Sequence, residues 1–143
     1  MPEARGTVIH SARLVDGGAV HADAWVRFEH ERVAAVGTGD SWRIAGQQHP
    51  DDTIVDASGH WLTPGFVDIH GHGGGGVSYD DGAEQILTAR ALHRAHGTTR
   101  AVISLVTAPL EALAARVALI AELCAAHPDI LGSHLEGPFL DPG

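Results

Sequence analysis

The sequence predicts an α/β protein in which a β-rich part is followed by alternating strands and helices. Up to Leu62, apolar residues recur with a period near two, in short runs separated by turn residues. After Pro64 the pattern becomes strand, helix, strand, helix, strand. This alternation is typical of parallel strands joined by right-handed crossovers. We therefore divide the chain into segments 1–62 and 63–143.

Short strands make up most of segment 1–62. The first predicted strand ends at Asp16-Gly17-Gly18, residues typical of a tight turn. A polar corner at His30 and Glu31 separates two apolar runs and predicts a hairpin. The stretch 37–52 is polar, and we expect it to be irregular. The predicted strands are 7–15, 24–29, 32–36, 54–56 and 60–62.

Three strands and two helices are predicted after Pro64. The first helix covers 83–95, with Asp80 or Asp81 as its N-cap and Gly97 at its end. The second helix begins near Pro109. The strands are 66–69 and 101–106, both expected to be buried, and 130–135. The faces expected to pack on a core are Ala83, Leu87, Ala91 and Ala95 on the first helix, and Leu110, Leu113, Val117, Ile120 and Cys124 on the second.

Composition excludes several classes of function. Acidic residues outnumber basic ones 18 to 9 in the 143 residues, which argues against a nucleic-acid partner or an anionic membrane surface. A single cysteine, Cys124, forms no internal disulfide, and its position on an apolar helix face favours an inert thiol. The sequence contains neither a signal-peptide pattern nor a long apolar run. We therefore expect a cytoplasmic protein.

Two histidines follow the first strand after Pro64, and a glutamate follows the third. His70 and His72 are two residues apart, so in an extended chain both side chains point to the same side. Glu136 comes directly after strand 130–135. Because the carboxyl ends of parallel strands open on one face of a barrel, we expect the three side chains to meet. Imidazole and carboxylate groups bind divalent metals, so the pattern predicts a metal site.

Other polar residues near these strand ends have several interpretations. Asp68 is expected to be a structural hydrogen-bond acceptor. His134 lies on the same side of its strand as Glu136, so we expect it to support a metal ligand or to contact substrate. The glycines 73–76 could form an anion nest, but they lack the Lys and Ser/Thr of a P-loop, and a flexible connection explains them as well.

Two motifs resemble those of a known family. Residues 64–73 (PGFVDIHGHG) resemble the first barrel strand of the amidohydrolase superfamily. Residues 134–139 (HLEGPF) resemble a more selective motif, that of the N-acetylglucosamine-6-phosphate deacetylases within it. The similarity extends from about Gly6 to the last residue. It implies a (β/α)8 TIM-like barrel, incomplete in this chain, preceded by a small β-sandwich segment.

The resemblance implies metal-dependent hydrolysis of N-acetylglucosamine 6-phosphate to glucosamine 6-phosphate and acetate, in amino-sugar catabolism. The main metal ligand of the family corresponds to Glu136. The histidine pair varies among members, so retention of His70 and His72 implies room for a second ion, the metals being Zn, Fe, Mn or Co. The remaining ligands, the catalytic aspartate and most substrate contacts would lie beyond Gly143.

We therefore expect the chain to be the N-terminal portion of an enzyme, inactive alone, with three of about eight strand-helix units. The complete enzyme is expected to be a homo-oligomer. Two alternatives remain open. One is another amidohydrolase, acting on cyclic amides or nucleobases, which an assay with hydantoin and dihydroorotate would identify. The other is a non-catalytic metal-binding or assembly module. An intact mass equal to the calculated 14.9 kDa would favour this alternative.

Overall fold

The computed structural model describes residues 5–140, and the chain divides into two compact units. The first unit extends to Pro64 and the second begins at Gly65. This division falls at the Pro-Gly pair, next to the boundary placed at residue 62 from the sequence. No helix within the described residues is long and apolar enough to cross a membrane.

The first unit is built on one five-stranded sheet. Its strands are β1 (Thr7–Asp16), β2 (Ala19–Glu29), β3 (Arg32–Thr38), β4 (Thr53–Asp56) and β5 (Trp61–Leu62). The order is β3-β2-β1-β4, with β5 also paired to β1. The first three strands are antiparallel, whereas β4 and β5 run parallel to β1. All five predicted strands are therefore present, but the described residues of this unit form one sheet and not the two layers of a sandwich.

The two hairpins of this sheet turn at the predicted residues. Gly17 and Gly18 connect β1 to β2 with φ of 55° and 80°. Positive φ at both central residues is the requirement of a type I′ turn, which glycine meets without steric cost. His30 connects β2 to β3 and also has a positive φ, 54°.

A short helix occupies the stretch that was expected to be irregular. A 3₁₀ turn at Gly39–Ser41 leads into α1 (Trp42–Gln48). The Trp25 indole N–H donates to Ser41 Oγ at 2.8 Å, and the Trp42 ring stacks on His10 at 4.1 Å. The expectation was wrong because these contacts join residues distant in sequence, and no local period indicates them.

The second unit contains a three-stranded parallel sheet with order β10-β9-β6. A two-stranded antiparallel hairpin, β7 with β8, lies between its first strand and first helix. The elements in chain order are β6 (Phe66–Asp68), β7 (Gly73–Gly74), β8 (Val77–Ser78), α2 (Ala83–Ala95), β9 (Thr98–Leu105), α3 (Leu110–Ala126) and β10 (Ile130–Leu135). The predicted alternation of parallel strands and helices is thus confirmed.

The residues that the two helices of this unit bury agree only in part with those predicted. On α2 the buried residues are Ile86, Ala89 and Arg90, whereas Ala91 and Ala95 are exposed. On α3 Leu113 and Ile120 are buried as predicted, but Leu110 is exposed. A fourfold alanine repeat was therefore a poor indicator, because alanine is tolerated on either face. The core comprises Tyr79, Ile86, Ala89, Ile103, Leu105, Leu113, Ile120, Leu123 and Ile130.

Two further expectations were wrong in this unit. Gly82 is the N-cap of α2, and Asp80 and Asp81 lie in a preceding 3₁₀ turn, Tyr79–Asp81. That turn is capped by Ser78 in a capping box with Asp81. Strand β6, expected to be buried, leaves Phe66 and Val67 more than half exposed, at 58% and 53%. Within the described residues this strand has a neighbour on one edge only, β9.

Candidate metal centre

The segment after β6 turns sharply and presents two imidazoles. The backbone N–H of His70 donates to Asp68 Oδ1 at 3.1 Å, an Asx-type turn that confirms Asp68 as a structural acceptor. A Cβ at Gly71 would lie 2.9 Å from Asp68 Oδ2, so a side chain there would crowd the same turn. The local sequence Asp-Ile-His-Gly-His therefore closes the turn and leaves His70 and His72 at the end of β6.

The backbone of His72 is held by the hairpin that follows. Its carbonyl oxygen accepts from the Tyr79 N–H at 2.9 Å and from the Ser78 hydroxyl at 3.3 Å. The carbonyl of Gly73 accepts from His93 Nε2 on α2 at 2.9 Å. The glycine run 73–76 lies in the connection from β6 to α2 and forms part of a tight hairpin that contacts α2.

Glu136 follows β10 and reaches the same place. Its backbone N–H donates to the Leu105 carbonyl of β9 at 3.3 Å, and its own carbonyl accepts from the Thr107 hydroxyl at 3.4 Å. These bonds keep the residue beside the end of β9 after the regular pairing of β10 has stopped. Because β6, β9 and β10 are parallel, the ends of β6 and β10 lie at the same edge of the sheet.

The three side chains converge on one another, as their strand-end positions predict. Glu136 Oε1 lies 2.7 Å from His70 Nε2 and 2.9 Å from His72 Nε2. The two Nε2 atoms are 3.2 Å apart. One carboxylate oxygen and two ring nitrogens thus form a compact triangle, although Glu136 and His70 are 66 residues apart in sequence.

His134 lies beside this triangle. Its ring is 4.9 Å from the His70 ring, centroid to centroid, with the planes tilted by 58°. Ligand-type atoms of His70, His134 and Glu136 all lie within 4.8 Å of one another. The Nδ1 atom of His134 is 3.3 Å from the hydroxyl of Ser104.

The imidazoles keep the carboxylate ionised. Hydrogen bonds from His72 and His70 hold the pKa of Glu136 below its ordinary value and outweigh the opposing effect of desolvation. All three side chains remain partly open to solvent, with 53% of His70, 36% of His72 and 35% of Glu136 exposed. The centre is therefore an anionic oxygen with two nitrogen donors on an accessible surface.

This donor set fits a divalent metal ion. Two ligands held 2.0 to 2.2 Å from one tetrahedral ion are roughly 3.4 Å apart, and the observed separations of 2.7 to 3.2 Å are slightly shorter. The Nδ1 atom of His72 is buried without a hydrogen-bond partner among residues 5–140. When Nε2 of a histidine binds a metal, its Nδ1 carries the proton. The Nδ1–H donor of His72 would then have no acceptor among the described residues.

Sequence reasoning missed two residues that support the site. Ser104 is fully buried on β9, and its backbone N–H donates to the Gly71 carbonyl at 3.1 Å. Asp80 accepts from Arg116 at 2.8 Å and from the Val106 N–H at 3.4 Å, and so joins the turn before α2 to the loop after β9. The pattern Ser78-Tyr79-Asp80-Asp81 was a usable signal for the capped turn, whereas nothing local singles out Ser104.

Comparison with known proteins points to amino-sugar phosphate deacetylases. No protein-family model matches the chain. The chain is 33% identical over 152 residues to N-acetylglucosamine-6-phosphate deacetylase of Bos taurus, covering 96% of this chain and 34% of that protein. It is 35% identical over 94 residues to N-acetylgalactosamine-6-phosphate deacetylase of Escherichia coli O157:H7, covering 63% of this chain and 25% of that protein.

A solved structure agrees with these relatives. It is a substituted form of N-acetyl-D-glucosamine-6-phosphate deacetylase from Mycobacterium smegmatis in complex with N-acetyl-D-glucosamine-6-phosphate. Its identity is 35% and its TM-score 0.78, over 96% of this chain and 34% of that one. The chain thus spans about a quarter to a third of the length of the relatives described. The resemblance inferred from the two motifs is confirmed: over nearly its whole length, the chain is similar in sequence and in fold to N-acetylglucosamine-6-phosphate deacetylases.

Proposed function

We propose that these residues form part of a metal-dependent deacetylase that hydrolyses N-acetylglucosamine 6-phosphate. The observation that carries the proposal is the convergence of Glu136 with His70 and His72 at the ends of two parallel strands. The reaction consumes water at the amide bond and releases acetate and glucosamine 6-phosphate. The relatives are about three times longer than this chain. The proposal therefore includes the remaining strands of a (β/α)8 barrel, the second layer of a β-sandwich and the subunit contacts of a homo-oligomer.

Glu136, His70 and His72 would hold one or two divalent ions, of Zn, Fe, Mn or Co. A bound ion supplies activation of the attacking water and polarisation of the amide carbonyl. The chain's own residues then have distinct tasks. Glu136 provides the anionic donor, and hydrogen bonds from His72 and His70 hold its pKa below the ordinary value before a metal binds. His70 and His72 provide neutral donors, and the turn accepted by Asp68 orients them.

A second substrate has a specific observation in its favour. The Escherichia coli O157:H7 relative is named for the galactosamine epimer, and its identity of 35% is as high as that of the glucosamine enzymes described above. The epimers differ only in the orientation of one sugar hydroxyl, which the metal centre itself has no means of distinguishing. N-acetylgalactosamine 6-phosphate is therefore the alternative substrate.

The decisive experiment is a hydrolysis assay on the protein as its source makes it, with its intact mass measured first and compared with 14.9 kDa. Acetate release is followed with both N-acetylhexosamine 6-phosphates, and opening of the cyclic amide is followed with hydantoin and dihydroorotate as controls. We expect turnover of a sugar phosphate and none of the cyclic amides. Turnover of the cyclic amides alone would overturn the proposal in favour of another hydrolase. No turnover of any substrate by metal-loaded protein would favour a binding module.

Substitutions separate the roles of the ligands. Glu136→Gln replaces an anionic donor with a neutral amide, so we expect turnover to be nearly abolished and metal content to fall. His70→Gln and His72→Asn are expected to cost less, on the order of tenfold to a hundredfold, through loss of a second ion. Turnover and metal content per subunit are measured together. Near-normal turnover of Glu136→Gln with its metal retained would remove Glu136 as the principal ligand.

A further inference from the structure

Ser104 is a fully buried polar residue that contacts both segments of the site. It lies on the central strand β9 and has no exposed surface. Its backbone N–H donates to the carbonyl of Gly71, the residue between the two histidines, at 3.1 Å. Its hydroxyl lies 3.3 Å from His134 Nδ1. One residue therefore contacts both segments that carry the candidate ligands.

The register of the sheet makes this contact specific. In the parallel pair β9–β10, Ser104 is the direct partner of His134, and Glu136 follows two residues later. A hydroxyl both donates and accepts, so it can hold one neutral imidazole tautomer through Nδ1. A hydrogen bond on one ring nitrogen fixes the orientation of the ring and the electron pair of the other nitrogen. The ring so fixed packs 4.9 Å from that of His70.

We propose that Ser104 is a positioning residue for the metal centre, acting through His134 on His70. This role rests on the proposed metal-dependent function and deepens it, because it adds a residue outside the ligand set. The hydroxyl fixes the His134 ring, and that ring limits the rotation of His70 toward Glu136. The backbone N–H that donates to Gly71 is present in both Ser104→Ala and Ser104→Thr, so these substitutions isolate the hydroxyl.

The test measures zinc affinity by chelator competition in the purified protein. Ser104→Ala is expected to weaken zinc binding by about tenfold, the low end of the cost of losing a direct partner of a metal ligand, because its effect on His70 passes through His134. Ser104→Thr keeps a hydroxyl and is expected to restore most of the affinity. Ser133→Ala is the matched control, since Ser133 is opposite Ile103 in the register and not opposite a site residue. Its affinity is expected to equal that of the unsubstituted protein.

A merely structural role is excluded by two further readouts. In a double-mutant cycle, Ser104→Ala should cost no further zinc affinity once His134→Ala is present, because the effect passes through that ring. Long-range ¹H–¹⁵N spectra of the zinc-free protein should show altered His134 ring nitrogens in Ser104→Ala and not in Ser133→Ala. The positioning role would be overturned if Ser104→Ala lowered zinc affinity equally with and without His134→Ala. It would also be overturned if Ser104→Ala lowered the melting temperature and left zinc affinity unchanged.

The outcome is separable from that of the proposed function. If the protein binds zinc and responds to Ser104→Ala but hydrolyses no sugar phosphate, the positioning role stands and the deacetylase proposal fails. If it hydrolyses the substrate while Ser104→Ala keeps full zinc affinity, the function stands and the role of Ser104 fails. If the unsubstituted protein binds none of zinc, iron, manganese or cobalt, both are overturned.

Discussion

Arg27 and Asp52 form a deeply buried ion pair in the first unit, with side chains 4% and 2% exposed. The guanidinium Nε donates to Asp52 Oδ2 at 2.6 Å, and the Gly6 N–H donates to Oδ1 at 2.7 Å. Arg27 also pairs with Glu29 at 2.8 Å. The hydrogen bond from Arg27 lowers the pKa of Asp52 more than burial raises it. When one partner of this buried pair is lost, water does not solvate the remaining charge as it does at the surface.

We expect Asp52→Asn to destabilise the protein by about 3 kcal/mol at pH 7, because it leaves a buried guanidinium with a weaker acceptor. The control is Asp40→Asn, which removes an exposed pair with Arg43 and should cost less than about 0.5 kcal/mol. Urea unfolding of the unsubstituted protein and of the two variants measures both changes in the free energy of unfolding. Equal costs for the two substitutions would show that the buried pair contributes no more than a surface one.

The same pair gives stability a defined pH dependence. Since the folded pKa of Asp52 lies below its unfolded value of about 3.9, its contribution is complete above that value. It is lost as the pH falls below 4 and through the folded pKa. The difference in unfolding free energy between the original protein and Asp52→Asn should therefore narrow steadily below pH 4. A difference that stays constant down to pH 2 would contradict the ionised pair.

The hairpin of β7 and β8 depends on a glycine at its first position. Gly73 has φ of 142°, and a Cβ there would overlap the carbonyl oxygen of Val77. Ser78 at the end of this hairpin and Tyr79 directly after it donate the two hydrogen bonds to the His72 carbonyl. Side-chain placement at the site is therefore coupled to an element that contributes no ligand.

We expect Gly73→Ala to destabilise the protein by about 1 to 3 kcal/mol through backbone strain. It should also weaken metal binding, because His72 loses its supports. Gly46→Ala is the control: Gly46 is in α1 with open space around it, so alanine should be neutral or stabilising by about 0.4 to 1 kcal/mol. Thermal unfolding and zinc titration of both variants provide the comparison. Normal zinc binding by Gly73→Ala would separate the hairpin from the site.

As a whole, the chain exposes apolar strands that have a neighbour on one side only. Strands β6 and β10 each pair with β9 alone among residues 5–140. Val67 on β6 is 53% exposed and Leu131 on β10 is 47% exposed. Unpaired strand edges with apolar side chains are templates for association.

We expect the 143-residue chain alone to self-associate in sedimentation velocity at concentrations on the order of 10 to 100 μM. Val67→Lys and Leu131→Lys should shift it toward monomer, because charge on an edge strand opposes pairing. Ile44→Lys is the control, since Ile44 is 62% exposed but lies on the helix α1 and not on a strand. A monomer at all concentrations would show that these edges do not associate.

Local pattern was sufficient to predict most elements of the chain. Helix α2 and strand β10 have the predicted bounds, and both hairpin turns of the first unit fall at the predicted residues. The positions of His70, His72 and Glu136 followed from strand ends and parallel order, which are properties of the chain in sequence. Helix faces made largely of alanine were predicted less well, because alanine packs or is exposed at similar cost.

What the sequence by itself determined is the order of strands and helices and the three donors at the strand ends. Only the tertiary structure decided how Ser104 faces His134, how Arg27 reaches Asp52 and why residues 42–48 form a helix. These contacts join residues 30, 25 and 16 positions apart in sequence, so they depend on strand register and on packing between elements. The residues adjacent in sequence indicate neither the register nor the packing, because a shift of one residue in register turns every side chain of a strand to the opposite face.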